Sequence, residues 1–530
     1  MSRRIVVGKL SDFENDGMRT VGLGDSKDKI LICRSGGEFS ALSPHCTHYG
    51  APLEEGALGE GRIVCPLHHS CFSAKNGDVL EPPAFDSLVA YELEAEGENL
   101  VVTVPDKIEK RRLPGLAKPD YKSDKRRFGI IGGGAAGYSA AQTLRENGFK
   151  GRIHIITREN KLPYDRPNLS KEYLQGKAEE DWMPLRGKKF YDEHGIDIAL
   201  GREVLKLDVK NKELTLDDGQ NLAFDKILIA SGGKPLNLNI PGADLGNIFT
   251  LRSFANADDI IDAAKTASRA AVIGSSFIGM ETAYSLSELG LDVTVIGKDS
   301  LPFERILGKE VGELFMNEHK NRGIKFEMSA NVSRFAGNGK VEKIIFNDGK
   351  EIPADLVLVG IGVVPATGFI EGIKLNPDGS LKTDIYLAVA EDVYAAGDIA
   401  SFPNPITGER TRIEHWRTAE QQGKTAALNM LGKNVPYSSV PFFWTAQAGL
   451  ELRYVGHAHA WDYTITWGSV PDKDFITFYI SGDKVAAAAG NDRDADMAAA
   501  EELMRTGRMP APDILEKHQA GLKDLLNEPD

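Results

Sequence analysis

Cysteine is scarce in this 530-residue chain: there are four, Cys33, Cys46, Cys65 and Cys71, and none follows them. So few thiols, all near the front, exclude a secreted disulfide scaffold. They also remove thiol chemistry from everything after Cys71. Long hydrophobic runs are missing as well. No stretch approaches 18 uninterrupted apolar residues, which excludes a membrane-spanning helix. The opening MSRRIVVGKLSDFEND carries a twin arginine, but its apolar run stops after Val7, too short for the core of a signal peptide. A cytoplasmic location is the expectation. Positive charge is in deficit, with 63 Lys and Arg against 77 Asp and Glu for a net −14. That balance, without a basic block on a folded domain, argues against nucleic acid as a partner.

Apolar residues are 42% and charged residues 26% of the chain, enough for ordinary cores. The length predicts three or four domains at about 100–200 residues each. Residues 1–105 read as short β-rich runs such as KILIC and LVVTV, with hairpin signals at Gly36-Gly37 and Asn76-Gly77. A small all-β domain is expected there. Residues 106–126, rich in Lys and Arg with two prolines, read as an extended linker, with a basic docking patch as the alternative. From 127 the grammar becomes strand, glycine loop, helix: RFGII, then a helix over 135–147 stopped by Gly148, then RIHIIT. The same unit recurs with Gly274 in place of Gly132, so two nucleotide-binding domains are expected. The segment 436–530 mixes strands with an alanine-rich helix from Asp494 and reads as a separate α+β domain.

Two Cys-His pairs carry the first chemistry: Cys46-Thr47-His48, then sixteen residues, then Cys65-Pro66-Leu67-His68. Two short loops can bring such donors together, and neither four-cysteine zinc nor plant-ferredoxin spacing fits. A zinc site with the same ligand set remains the alternative. The pattern resembles the Rieske [2Fe–2S] domain over nearly all of residues 1–105. By that resemblance Cys46 and Cys65 bind one iron, and His48 and His68 the other. Imidazole ligation raises the potential above that of an all-cysteine cluster. Rieske proteins of respiratory complexes add a disulfide between the loops; its positions here are Ala51 and Leu67, so the domain resembles the lower-potential ferredoxin type. His45, His69, Cys33 and Cys71 read as packing or surface residues, not ligands.

Gly132, Gly134 and Gly137 form G-x-G-x-x-G between a strand and a helix, the context a dinucleotide pyrophosphate needs. Glu159 is the acid available for the adenosine ribose, one residue late against the usual flavoprotein pattern. The run LPYDRPNLSK, from Leu162 to Lys171, resembles the FAD-dependent ferredoxin reductases of oxygenase systems and the related apoptosis-inducing-factor flavoproteins. That resemblance implies FAD contacts from Arg166 and Lys171, with Lys171 near the reactive flavin nitrogen. It also implies Asp398 beside the ribitol hydroxyls, and Glu414, His415 and Trp416 beside the flavin ring. Phe443-Trp444 matches a similar flavin-side segment.

The second loop, Gly274, Ser276 and Gly279, has serine for the middle glycine. It still reads as a dinucleotide site, with the small side chain turned away. By resemblance it belongs to the NAD(P)H domain, where Phe277 covers the flavin and Glu281 faces the nicotinamide carboxamide, paired with Lys171. After the next strand the usual NADH-selecting acid is absent and Gly297-Lys298-Asp299 stands there, with a lysine that admits the 2′-phosphate of NADPH. NADH is slightly favoured, because only Arg305 supplies an arginine nearby.

The expected fold is multidomain: a Rieske domain over 1–105, a linker over 106–126, glutathione-reductase-like α/β domains for FAD (127–245 and 365–435) and NAD(P)H (246–364), and a reductase-type domain over 436–530. The whole chain resembles the Rieske-bearing, apoptosis-inducing-factor-like branch. With no cysteine beyond 71, glutathione-, thioredoxin- and lipoamide-type reduction are excluded. The expected course runs from NAD(P)H to FAD, to the fused cluster and on to an unidentified redox acceptor, with a homodimer left open. Two alternatives stand beside it: an NAD(P)H oxidase or reductase of a separate ferredoxin with a regulatory Rieske domain, and a redox sensor with slow turnover.

Overall fold

The computed structural model describes residues 2–24, 26–517 and 521–526. Residues 1 and 527–530, the outer ends of the first and last expected domains, lie outside the described residues.

The front of the chain folds as two β-sheets. One runs in the order Ser2–Lys9, Asn99–Pro105, Ala90–Glu96, Glu38–Leu42, Lys29–Ser35 and Gly17–Gly22. Strand alternation explains how all four of Ile30–Cys33 come to be buried, with Lys29 left exposed. Ile30 and Ile32 pack on one face with Val102, while Leu31 and Cys33 pack on the other with Leu53 and Phe72. Gly36 and Gly37, both at positive φ, close the two-residue hairpin between Ser35 and Glu38. The second sheet holds Ala57–Gly59, Arg62–Val64, Cys71–Ser73 and Val79–Glu81, and the Cys65–His68 loop joins its middle strands.

Residues 106–126 have no helix or strand. They lie along the neighbouring domain: the Ala117 amide donates to the Arg145 carbonyl (2.9 Å), the Asp120 amide donates to the Lys150 carbonyl (2.9 Å), and Arg152 sits over the Tyr121 ring.

The two glycine-loop units each centre a largely parallel sheet. Arg127–Ile131 lies between Arg152–Thr157 and Lys226–Ile229, and Arg269–Ile273 between Asp292–Ile296 and Leu356–Val359. Their helices, Ala135–Glu146 and Phe277–Glu288, start directly after the loops, so both helix N-termini open onto the same cleft.

The last segment is a five-stranded antiparallel sheet in the order Phe442–Gln447, Leu450–Gly456, Lys484–Asn491, Asp474–Ser481 and Tyr463–Ser469. The alanines of KVAAAAGN leave room for the helix Asp494–Thr506, which buries Met497, three alanines and Leu503. This core does not stop at the domain edge. Ala57, Val64 and Cys71 from the front of the chain share it with Phe442, Leu503 and Leu526.

Because that core is common property, loosening it should loosen both domains. Leu503→Ala should cost about 2–5 kcal/mol. In urea unfolding of the loaded protein, the flavin and cluster absorption bands should be lost together at a lower midpoint.

Candidate functional site

A cavity of about 1870 Å³ runs past both glycine loops. Its shape is set by backbone packing. A β-carbon on Gly132 would lie 2.1 Å from the Ala230 carbonyl oxygen, and one on Gly137 would lie 2.0 Å from the Gly132 carbonyl oxygen. Gly134, in contrast, has nothing within 4 Å of its would-be β-carbon, so the loop is open where a pyrophosphate would lie. The second loop repeats this at Gly274 and Gly279, each with a carbonyl oxygen 2.1 Å from the would-be β-carbon. Ser276 turns its hydroxyl toward the Gly360 carbonyl oxygen at 3.3 Å, leaving the loop clear.

The predicted polar residues meet in this cavity as pairs. Arg166 donates to Glu159 (2.7 Å), and Tyr164 donates to the other oxygen of the same carboxylate (2.6 Å). Although burial opposes it, Arg166 and Tyr164 together hold the Glu159 carboxyl below its usual range. Asp398 accepts from Arg252 at 2.6 Å, and Glu414 accepts from Arg412. Lys171 and Glu281 form a buried ion pair at 2.7 Å. Glu281 also accepts from Ser170 (2.5 Å) and from Thr445 (2.6 Å). His415 packs against Phe443 with ring centroids 4.5 Å apart. Burial pushes its imidazole down to about 3, and its Nδ1 atom is buried without a partner. Trp416 begins the helix Trp416–Met430 and lines the cavity. Phe277 stacks on Phe303 (4.5 Å) and meets the edge of Phe443 (4.7 Å). An open glycine cradle, an orphaned ring nitrogen and apolar walls fit a flavin dinucleotide.

The second centre lies beside the first. The Nδ1 atoms of His48 and His68 are 3.2 Å apart. Two imidazole nitrogens on one tetrahedral metal, each at about 2.0–2.1 Å, stand about 3.3 Å apart. Burial pushes His48 down to about 4 and His68 well below its usual value, so both rings stay neutral as ligation requires. Cys65 holds the Cys46 thiol below its usual value, while Cys46 and burial push the Cys65 thiol well up. Among the described residues no three His, Cys, Asp or Glu side chains converge as a mononuclear site requires. The donors come as a sulfur pair and a nitrogen pair. That arrangement fits a two-iron cluster with two protein ligands per iron and disfavours the zinc alternative. Cys33 and Cys71 are buried free thiols, with Cys33 pushed up to about 12 by burial, and His45 is exposed.

The two centres meet at Trp444. Its ring lies 4.4 Å from that of His68, and the residue is also among those that line the dinucleotide cavity. Tyr49 stacks on His48 at 4.1 Å and donates to Asp165 within the LPYDRPNLSK run. Sequence reading did not find Ser170, Arg252 or Thr445 as partners, nor the Tyr49–Asp165 and His68–Trp444 contacts. Each joins positions far apart in the chain; the Tyr49 contact spans 116 residues.

Comparisons with known proteins identify the domains. Residues 127–423 match the pyridine nucleotide-disulphide oxidoreductase family, residues 3–92 the Rieske [2Fe-2S] domain and residues 442–526 the reductase C-terminal domain. The chain is 37% identical over 511 residues to apoptosis-inducing factor 3 of Homo sapiens, covering 94% of this chain and 83% of that one. It is 31% identical over 398 residues to the ferredoxin–NAD(+) reductase subunit of the benzene 1,2-dioxygenase system of Pseudomonas putida, covering 75% and 97%. The covalent putidaredoxin reductase–putidaredoxin complex superposes with a TM-score of 0.71 at 28% identity, over 76% of this chain and 98% of that one. The resemblances carried by the Cys-His pairs and by LPYDRPNLSK therefore hold. Among the described residues no helix is long and apolar enough to cross a membrane.

Gly137→Ala would drive a methyl into the Gly132 carbonyl. The purified variant should lack FAD by absorbance while keeping the Rieske EPR signal of its cluster.

Proposed function

The chain belongs to the pyridine nucleotide-disulphide oxidoreductase family, with a Rieske [2Fe-2S] domain ahead and a reductase C-terminal domain behind, and from that premise we propose that it carries electrons from NADH to its own cluster and on to a separate redox protein. It is an FAD-dependent oxidoreductase of the ferredoxin-reductase type. Bound FAD supplies the conversion of a two-electron donor into single electrons, and a bound Rieske cluster supplies a one-electron acceptor.

The chain's own residues prepare that exchange. Arg166, Asp398 and the Gly132–Gly137 loop hold the flavin dinucleotide, with Glu159 at the adenosine end. Lys171 would present a cation to a bound flavin ring and so favour its reduced, negatively charged form. Glu281, fixed by Ser170, Lys171 and Thr445, keeps that cation in place and offers an acceptor to a nicotinamide carboxamide. Phe277 and Phe443 are apolar walls that exclude water from the stacking face. Cys46 and Cys65 would hold one iron of the cluster, His48 and His68 the other. No cysteine stands in the flavin half to receive electrons.

The observation that carries this reading is Trp444, which lines the dinucleotide cavity and touches His68. A residue that borders the dinucleotide cavity and packs its ring on His68 supports transfer inside one chain. Asp299 engages Arg305 through bonds of 2.6 and 3.1 Å. The single arginine near the expected 2′-phosphate is thus countered, which supports NADH over NADPH. The Pseudomonas putida relative is a ferredoxin–NAD(+) reductase subunit of a dioxygenase system, and that likeness supports an iron–sulfur protein or oxygenase component as the final acceptor.

Anaerobic NADH should bleach the flavin and then produce a Rieske-type EPR signal, with NADPH slower at equal concentration. Bleaching with a cluster that stays oxidised overturns the relay. Trp444→Leu should leave flavin bleaching by NADH intact and slow the appearance of the EPR signal in rapid-freeze samples.

A further inference from the structure

His69 follows the ligand His68 and reads in the sequence as a packing or surface residue. The structure gives it a costly position. Its backbone is left-handed, with φ of 57°, a region that favours glycine. Its side chain is fully buried, and buried imidazoles with few partners are expensive. A residue held in both conditions at once is over-determined by its surroundings.

Those surroundings are specific. His69 Nδ1–H donates to Glu501 at 2.6 Å, and its ring stacks on Phe442 with centroids 3.9 Å apart. The other oxygen of Glu501 accepts from Arg417 at 2.7 Å, and Arg417 also donates to the Pro82 carbonyl at 2.8 Å. His69, Glu501 and Arg417 have side chains at most 5% exposed. Arg417 stands next to Trp416 at the flavin cavity, and Glu501 lies on the helix Asp494–Thr506. One carboxylate therefore ties the second ligand loop to the helix that opens at the flavin site. Phe442 and Trp444 are two apart on one strand and lie on the same face. The consecutive histidines take these two rings in turn: His69 takes Phe442, and His68 takes Trp444.

We propose that His69 is a positioning residue for electron transfer: by locking onto Glu501 and Phe442, it holds the ligand loop in register so that His68 meets Trp444. This rests on the relay reading above. His69 binds no iron in this scheme. Its removal should leave both redox centres intact and disturb only the contact between them.

The test is His69→Gly, which relieves the left-handed backbone and removes the latch, studied in the full-length protein carrying FAD and cluster. NADH should bleach the flavin at the unaltered rate, and iron content, EPR spectrum and cluster midpoint potential should match the parent. Cluster reduction, followed by stopped flow, should slow about tenfold or more, the scale of a misplaced reacting pair. His69→Asn, which accepts a left-handed backbone but lacks the ring, is the second variant and should behave the same way. A parent-like rate of cluster reduction in either iron-loaded variant overturns the proposal. Loss of iron from both also overturns it, by making His69 a support of the cluster itself. If the unaltered chain never reduces its cluster, the relay reading fails first, and the two failures are told apart by that control.

Discussion

Side chains along a β-strand alternate between two faces, and in the strand Phe442–Gln447 this simple constraint brings the two redox centres into one device. Phe443 packs with Phe277 and His415, and Thr445 donates to Glu281, on the dinucleotide side. Phe442 and Trp444 meet His69 and His68 on the cluster side. A shift of one residue in the pairing of this strand with Leu450–Gly456 would exchange the two sets. The register of the C-terminal sheet thus decides which of its side chains face the dinucleotide cavity and which face the Cys-His loops.

The seam between the Rieske domain and the rest is built in two ways. Ala57, Val64 and Cys71 join an apolar core with the C-terminal sheet and helix, which supplies non-directional attraction. Buried charges then choose one arrangement within it. Glu501 serves His69 and Arg417, Glu502 pairs with Arg62, and Asp86 pairs with Arg186. Ion pairs taken out of water return little net stability, but a pair left incomplete is expensive. Such contacts penalise misdocking more than they reward docking, which suits an electron-transfer contact that must recur in one geometry.

The absence of cysteine after residue 71 sets this chain apart from what its family name suggests. A pyridine nucleotide-disulphide oxidoreductase fold here carries no disulfide to reduce. A Rieske [2Fe-2S] domain stands at the front of the same chain instead, the acceptor that the proposed relay uses. Fusion keeps donor and acceptor at high effective concentration, and the buried seam makes their spacing a property of the fold.

Local chemistry was readable along the chain. Backbone sterics make Gly132, Gly137, Gly274 and Gly279 obligatory where they stand, so the two nucleotide loops announce themselves. Two Cys-His pairs at short spacing announce a metal site, because the ligands are supplied by loops only a few residues long. The βαβ periodicity likewise shows the doubled α/β architecture. What tertiary structure alone decided is which of these sites face each other. Tyr49 with Asp165, His68 with Trp444 and His69 with Glu501 are contacts between segments separated by 116 residues or more. No local propensity encodes them; they arise when an apolar seam and a few buried charges select one docking of the Rieske domain. His69 shows the division most clearly. In the sequence it is one histidine beside another, and only the fold gives it a strained backbone, a buried carboxylate and an aromatic ring to hold.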